Sequence, residues 1–418
     1  MNNRLKQIIS PKQLVAGLLV FLLPFLSLVT LWGVSGVSFG IAAVAALIII
    51  TGQGRSVMAP HWRAVRPVCL AFLLHFLFTL ACLILRSEAI LSALERPARM
   101  LLAISALMLV LWARPDRRFL WWGVAGGALA GAFLVGYQRL GLDMDRPGGL
   151  MNAITFGDMS LCLGLISIAA MIDQRSARQM IWPIIGLIAG LAGSVMTGTR
   201  GGWPALALAA VIMVRYSHAL NSRRVRAWVI VSFVLVGATY FIPGSGVSER
   251  VDEGIAGISS YFNGGSVFTI MGIRLELWKS ASMLIAEHPL LGIDYQAAAV
   301  RMTEWVAAGR LDPVVLTMPH LHNEYLQKWV TGGAVGLVIW LATLITPIIF
   351  FARQLAPGAQ ANKTVIACAL AGQFVVTSYL CFGLTEVIFW SVKASLFYAL
   401  MVFLLMGLCL NETPGVRS

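Results

Sequence analysis

The segment Pro319-His320-Leu321-His322-Asn323-Glu324-Tyr325-Leu326 leads directly into an apolar run that carries Gly332, Gly333 and Gly336. Histidine, with an ordinary pKa of about 6.5, takes up and releases protons near neutrality. His322 is therefore read as a proton-transfer group, a general base at a membrane boundary. On a helix running from His322, Gly333 returns to within about 20° of the histidine and Gly336 lies about 40° to the other side. The histidine would then top a smooth strip against which a lipid tail or another helix lies closely. Two other readings stand beside this one. His320, His322 and Glu324 alternate, and can present three metal ligands if residues 320–324 are extended, whereas the helical pattern begins near Asn323. A structural histidine capping a membrane helix is the blander alternative.

Arginines supply a second kind of chemistry. Gly198-Thr199-Arg200-Gly201-Gly202 lies between two apolar runs, with Pro204 placed to begin the next helix. Glycines let backbone amides approach an anion, and the helix start favours negative charge, so Arg200 sits where a phosphate can be held. A plain hairpin with one interfacial arginine explains the same residues. In Ile273–Glu287, Leu277, Trp278, Ala281, Leu284 and Ile285 fall on one helical stripe, with Glu276, Lys279, Ser280 and Glu287 opposite. Arg274 projects into the apolar stripe, where a guanidinium must find an anion or reach out to water. Glu249 or Asp252 would serve as a structural partner. Glu386 lies between two apolar runs at the end expected to face outward; it can orient the histidine, bind sugar hydroxyls, or neutralise Arg274 or Arg200.

These residues must be positioned by membrane helices. The 418-residue chain is 59% hydrophobic and 12% charged, with a mean hydropathy of +0.83, far too apolar for a soluble globular domain. Apolar runs bounded by charge predict an all-α polytopic membrane protein of about twelve spans, centred near residues 23, 44, 76, 105, 128, 162, 189, 209, 234, 340, 374 and 399. The first of these is read as an uncleaved span rather than a signal peptide. The whole chain, 1–418, reads as one membrane domain with a single large loop, 242–322, that contains amphipathic helices.

The net charge of +13 does not call for nucleic acid. Alternating the spans from an inside N-terminus gathers Arg55, Arg63, Arg66, Arg114, Arg117, Arg118, Arg175 and Arg178 on one side, where only Asp116, Asp173 and Glu412 are acidic. That is the positive-inside pattern, with both termini cytoplasmic and the 242–322 loop outside. None of the six cysteines forms a CxxC pair, and all sit in or beside apolar runs, so free buried thiols are expected.

Taken together, these features resemble the O-antigen ligases, within the larger group that also holds O-antigen polymerases and protein O-oligosaccharyltransferases. The family pattern of His, then Asn, Ser or Gln, nine residues, Gly, two residues and Gly is met by His322, Asn323, Gly333 and Gly336. Arg200 and Arg274 resemble the two arginines on which that family depends. The resemblance implies a GT-C-like glycosyltransferase of the bacterial inner membrane with its site facing the periplasm. Its donor would be an undecaprenyl-pyrophosphate-linked O-antigen and its acceptor a sugar hydroxyl of lipid A–core, with inversion and with neither cofactor nor metal. His322 would be the base and Arg200 and Arg274 the pyrophosphate ligands, with Asn323, Tyr325, Glu386, Gly333, Gly336 and His320 in support. An O-antigen polymerase using the same carrier is the nearest alternative and protein O-glycosylation the next. A twelve-span secondary transporter is a rival of another class, although the informative charges gather at one face rather than at mid-membrane.

Overall fold

The computed structural model describes residues 10–86, 91–216, 230–231, 234, 247–356 and 362–412. Every regular element among them is helical. The helices are α1 (Pro11–Leu26), α2 (Gly33–Ile50), α3 (Gly54–Met58), α4 (Trp62–Leu85), α5 (Leu91–Leu102), α6 (Ile104–Ala113), α7 (Arg118–Leu140), α8 (Ala153–Asp173), α9 (Ile181–Met196) and α10 (Pro204–Arg215). After these come α11 (Val247–Phe262), α12 (Ile270–Glu287), α13 (Tyr295–Ala307), α14 (Glu324–Gln354), α15 (Lys363–Phe382) and α16 (Val392–Glu412). Nine helical stretches among the described residues are long and apolar enough to cross a membrane, while α1 and α10 are apolar but shorter. The protein is thus an all-α, multi-pass membrane protein. Of the expected span near residue 234, all but residues 230, 231 and 234 lie outside the described residues.

Three helices, α8, α15 and α16, are buried nearly all round and form the centre of the bundle. Their outer neighbours turn large apolar side chains outward, including Leu47, Ile49 and Ile50 on α2, Leu74 and Leu77 on α4, and Val338 and Ile345 on α14. Such a surface is stable only against hydrocarbon. The bundle is pinned at its far end by Asp173, which accepts hydrogen bonds from Arg117 Nε (2.7 Å), Trp121 Nε1 (3.0 Å) and Thr364 Oγ1 (3.0 Å). This ties α7, α8 and α15 together. All six cysteines are free thiols, and only Cys82 is not fully buried.

Residues 247–323 form a cap on the helical bundle, built from α11, α12 and α13, with a small core of its own. Leu277, Ala281, Leu284, Trp305, Val315 and Leu321 are among its buried members. On α12 the sequence wheel needs correction: Glu276 and Ser280, expected on the polar face, are buried. Glu276 faces the inside because it accepts hydrogen bonds from Tyr261 Oη (2.6 Å), the Asp312 amide (3.0 Å) and Lys279 Nζ (3.2 Å). A buried carboxylate satisfied in this way organises the cap instead of disrupting it.

Candidate active site

His322 precedes the membrane helix and does not lie on it. Helix α14 starts at Glu324, with Asn323 as its N-cap accepting the Leu326 amide at 3.0 Å. His322 has φ +50°, in the left-handed region that costs a non-glycine residue roughly 1–2 kcal/mol. Clamps on both sides hold this conformation. Trp278 Nε1 of α12 donates to Leu321 O (3.1 Å), and the Leu321 amide donates to Gln327 Oε1 (3.1 Å). Toward the bundle, the Glu324 amide donates to Gly383 O (2.8 Å) and Asn323 Nδ2 to Leu384 O (3.1 Å).

The second clamp brings Glu386 beneath the two histidines. His320 Nε2 lies 3.1 Å from Glu386 Oε1, and His322 Nδ1 lies 3.2 Å from Glu386 Oε2. The imidazole rings meet edge to face at 4.4 Å. Side-chain exposure falls from 21% at His322 to 5% at Glu386, so the histidine is reachable while its carboxylate partner is shielded. Burial raises the Glu386 pKa, but the hydrogen bond with His322 and the nearby His320 outweigh it and hold the carboxyl below its ordinary range. Burial lowers the His320 pKa, with Glu386 opposing, so the neutral ring is favoured. An imidazole that donates Nδ1–H to a carboxylate keeps its lone pair on Nε2. His322 can therefore present Nε2 as the proton acceptor.

Arg274 is partly buried on α12, and its electrostatic neighbours are Glu386 and Arg146. Burial lowers its pKa, opposed by Glu386 and reinforced by Arg146. No ion pair of Arg274 with Asp252 occurs among the described residues, and the Glu249 side chain lies outside them. Arg200 sits in its expected turn, with Gly198 at φ +70° and Pro204 opening α10. The turn is seated against the strand of chain that bears Glu386. A Cβ on Gly201 would come to 2.1 Å from Thr385 Oγ1, and one on Gly202 to 2.5 Å from Asp158 Oδ1. Glycine at 201 lets the two turns touch, and glycine at 202 lets the Arg200 turn lie against Asp158 of α8 and the Phe382 ring.

Several expectations are corrected by this geometry. The strip of Gly333 and Gly336 below His322 does not exist as projected, because α14 breaks at Gly333 (φ +63°, ψ −169°). Gly333 admits the Leu290–Leu291 backbone, since a Cβ there would meet the Leu290 carbonyl at 2.1 Å, and a Cβ on Gly336 would meet the Phe78 ring. Of the two occupants expected, a lipid tail or another helix, the structure places helix α4 against Gly336 through Phe78 and the Leu290–Leu291 backbone against Gly333. Asn323 and Tyr325 are occupied structurally: Tyr325 Oη donates to Leu380 O at 2.7 Å. Glu324 cannot join the two histidines, because it is fully buried and accepts the Phe389 amide at 2.9 Å. The set with metal-ligand geometry is instead His320, His322 and Glu386, whose ligand atoms lie within 4.8 Å of one another.

Sequence reasoning missed Arg146, in the α7–α8 loop, and Asp158, a fully buried carboxylate without a hydrogen-bond partner among the described residues. It missed Trp390 as well, whose ring lies 5.8 Å from that of His320. All three come from segments distant in the chain and carry no local motif.

Comparison with known proteins bears on the same stretch. Residues 185–341 match a family model described as O-antigen ligase. The chain carries an O-antigen ligase family domain. That domain takes in Arg200, Arg274, His320, His322, Asn323, Gly333 and Gly336, while Glu386 comes from the helices that follow it. A protein of Haemophilus influenzae, described as uncharacterized, is 24% identical over 291 residues, which cover 68% of this chain and 72% of its own length. The O-antigen ligase family domain supports a membrane glycosyltransferase-like enzyme of glycan assembly acting on lipid-linked polysaccharide.

Proposed function

We propose that this protein is an O-antigen ligase of the bacterial inner membrane, with cytoplasmic termini and a periplasmic site. It transfers a polysaccharide from undecaprenyl pyrophosphate to a sugar hydroxyl of lipid A–core. The observation that carries this reading is the Glu386 carboxylate bound to both histidines, beside an arginine-bearing cap helix within a family domain of that class.

The chemistry follows from the side chains. The acceptor hydroxyl gives its proton to His322 Nε2 while its oxygen bonds to the anomeric carbon. The bond from that carbon to the pyrophosphate oxygen breaks, and its electron pair leaves with the pyrophosphate. Attack from the face opposite the leaving group inverts the anomeric centre. Glu386 holds the imidazole in the accepting tautomer and stabilises the imidazolium that forms. Arg200 and Arg274, permanently charged and able to grip phosphate oxygens in pairs, neutralise the leaving group. Because both substrates are lipids held in one leaflet, the membrane raises their effective concentration.

The test is transfer in vitro by purified protein, offering one polyprenyl-pyrophosphate glycan with lipid A–core present or absent. A product that requires lipid A–core and falls by about 10²–10⁴-fold in His322→Ala, the usual worth of a general base, is expected. Chain growth without lipid A–core would make the protein a polymerase. Transfer that does not depend on His322 would refute the mechanism.

A further inference from the structure

The end of the bundle remote from the histidine pair carries a charge pattern that glycosyl transfer does not use. Helix α4 spans the distance: its far end, at Arg86, donates to Leu291 O (2.6 Å) beside the kink of α14, so its start at Trp62 lies at the opposite end. The close of α6 lies there too, since Asn411 near the end of α16 donates to Val110 O at 2.9 Å. No acidic residue precedes Glu88 in the chain, whereas Lys12, Arg55, Arg63 and Arg66 are basic and exposed. A pocket of about 390 Å³ opens among these residues, and three separate stretches of chain meet around it. Lys12 and Gln13 come from the start of α1, His61 from the turn into α4, and Trp112 and Arg114 from the close of α6.

Two permanent positive charges and an imidazole thus share one space, and no carboxylate lines it among the described residues. Asp116, two residues beyond Arg114, is engaged elsewhere: it accepts the Arg118 amide at 2.9 Å and lies 4.0 Å from the Arg118 guanidinium. The lining is held in place. Lys12 Nζ stands 5.4 Å from the Trp112 ring, and Trp112 Nε1 donates to Gln53 Oε1 at 2.8 Å. Gln13 Oε1 already accepts from Ser10, which leaves its amide nitrogen as a further donor. Like charges gathered without a counter-charge repel one another, and an anion that accepts from all of them reverses that cost. The border of the pocket identifies the anion. Leu14, Val15 and Leu18, just beyond Lys12 on α1, are exposed, and so is Trp62, directly after His61. Such aliphatic side chains suit hydrocarbon, and tryptophan suits the headgroup boundary. The pocket therefore stands where the helix surface changes from apolar to basic, the level of bilayer phosphates. A phosphate bearing acyl chains satisfies both the basic pocket and its apolar border, whereas a free phosphate satisfies the pocket alone.

We infer that this pocket is a phosphate site, separate from the transfer site, that holds the headgroup of an anionic membrane lipid. Its effect is on the bundle. Asp173 ties α7, α8 and α15 at this end, and a phosphate gripped by Lys12, His61 and Arg114 ties α1, α4 and α6, which that carboxylate does not reach. On the orientation proposed above the lipid belongs to the cytoplasmic leaflet, across the membrane from the substrates. The site itself does not depend on the glycosyl-transfer reading.

Native mass spectrometry of the delipidated full-length protein tests this, with phosphatidylglycerol, phosphatidylcholine and inorganic phosphate offered separately. The double variant Lys12→Gln, Arg114→Asn removes both charges, and asparagine suits the left-handed backbone of residue 114 (φ +49°), so α6 still ends there. The control, Arg63→Gln with Arg66→Gln, removes two charges from the same basic face outside the pocket. Phosphatidylglycerol should bind wild type and control alike and the pocket variant about 10–30-fold more weakly, the combined worth of two basic residues against an anionic headgroup. Phosphatidylcholine should bind all three weakly and equally. Phosphatidylglycerol should also raise the melting temperature of wild type and control and leave that of the pocket variant unchanged. If the double variant does not fold, Lys12→Gln alone, at an exposed position, should show a several-fold loss and decides. The inference is overturned if the two lipids bind wild type alike, if the pocket variant binds like wild type, or if pocket variant and control lose affinity equally, which would mean diffuse charge and no site. Inorganic phosphate that displaces the lipid at equal concentration would overturn the lipid as occupant in favour of a soluble anion.

Discussion

The two arginines stand on different supports. Arg200 belongs to the bundle: its turn is pressed against Thr385 and Asp158 so closely that Gly201 and Gly202 have no room for a side chain. Arg274 belongs to the cap, on a helix whose packing comes from the cap's own small core and from Glu276 buried within it. The histidine loop is stitched to both, through Trp278 on the cap side and through Gly383 and Leu384 on the bundle side. A site divided between two cores acts as a unit only while those stitches hold. The close backbone seat fixes one arginine, whereas hydrogen bonds register the other.

The comparison is broken most severely by removing either arginine. A charge-assisted hydrogen bond is worth roughly 1.5–3 kcal/mol, so Arg200→Ala and Arg274→Ala should each lower kcat/KM about 10–150-fold, and more where two such bonds form. Lysine should rescue poorly at both positions, because an ammonium cannot reproduce the paired grip of a guanidinium. Steady-state transfer with saturating acceptor measures this. A full rescue by lysine at only one position would show that the two supports serve different purposes.

A somewhat smaller effect is expected from Glu386→Gln, read through pH. The folded pKa of Glu386 is lowered, so its contribution to stability is present above the ordinary carboxylate pKa and is lost as pH falls through the folded value. The His320 pKa is lowered too, so below about pH 6.5 the unfolded chain binds that proton first and stability declines on acidification. Thermal melting of wild type should therefore fall as pH drops from 7 toward 4. Glu386→Gln should flatten the acidic part of that profile and His320→Asn the part just below 6.5. Identical profiles in all three proteins would remove Glu386 and His320 from the titrating set.

The bundle-side seat can be loosened selectively. Gly201→Ala places a methyl group against Thr385 Oγ1, a contact that one of the two turns must relieve by moving. Transfer should fall several-fold, and Thr385→Ala in the same chain should restore part of it, since it removes the atom in the way. A double-mutant cycle reads the coupling. Simple additivity would mean that the seat does not position Arg200.

Much of this arrangement was legible in the sequence, and what failed has identifiable causes. Apolar runs marked the helices because hydrocarbon tolerates little else, and the described helices fall at eleven of the twelve expected centres, Pro11–Leu26 through Val392–Glu412. Glu386 stood out as an ionisable residue between such runs. Orienting the histidine was among the roles offered for it; that His320 shares the same carboxylate was not, because the approach of residues 320 and 386 depends on backbone contacts between Glu324 and Gly383 that no local pattern encodes. The projection that linked His322 to Gly333 assumed a continuous helix of 100° per residue. It failed at both ends, since His322 precedes the helix and Gly333 interrupts it. The wheel misplaced Glu276 for a different reason: it weighs polarity alone and cannot see that three donors await the carboxylate inside the cap.

The smallest expected effect probes the cap-side stitch by itself. Trp278→Phe keeps an aromatic ring on α12 and removes the N–H that Leu321 O accepts at 3.1 Å. A single neutral hydrogen bond contributes about 0.5–1.5 kcal/mol net, so stability should fall by only that amount. Its effect on transfer distinguishes two ideas of the cap. If α12 merely carries Arg274 to the pyrophosphate, kcat and KM should change little beyond the loss of stability. If the hydrogen bond also holds His322 in its left-handed conformation above Glu386, kcat should fall several-fold more than melting predicts, with KM for the donor unchanged. The second outcome is expected, because Leu321 is both the acceptor of this bond and a buried member of the cap core, directly next to the histidine. Equal, small losses in both quantities would confine the cap to supplying its arginine.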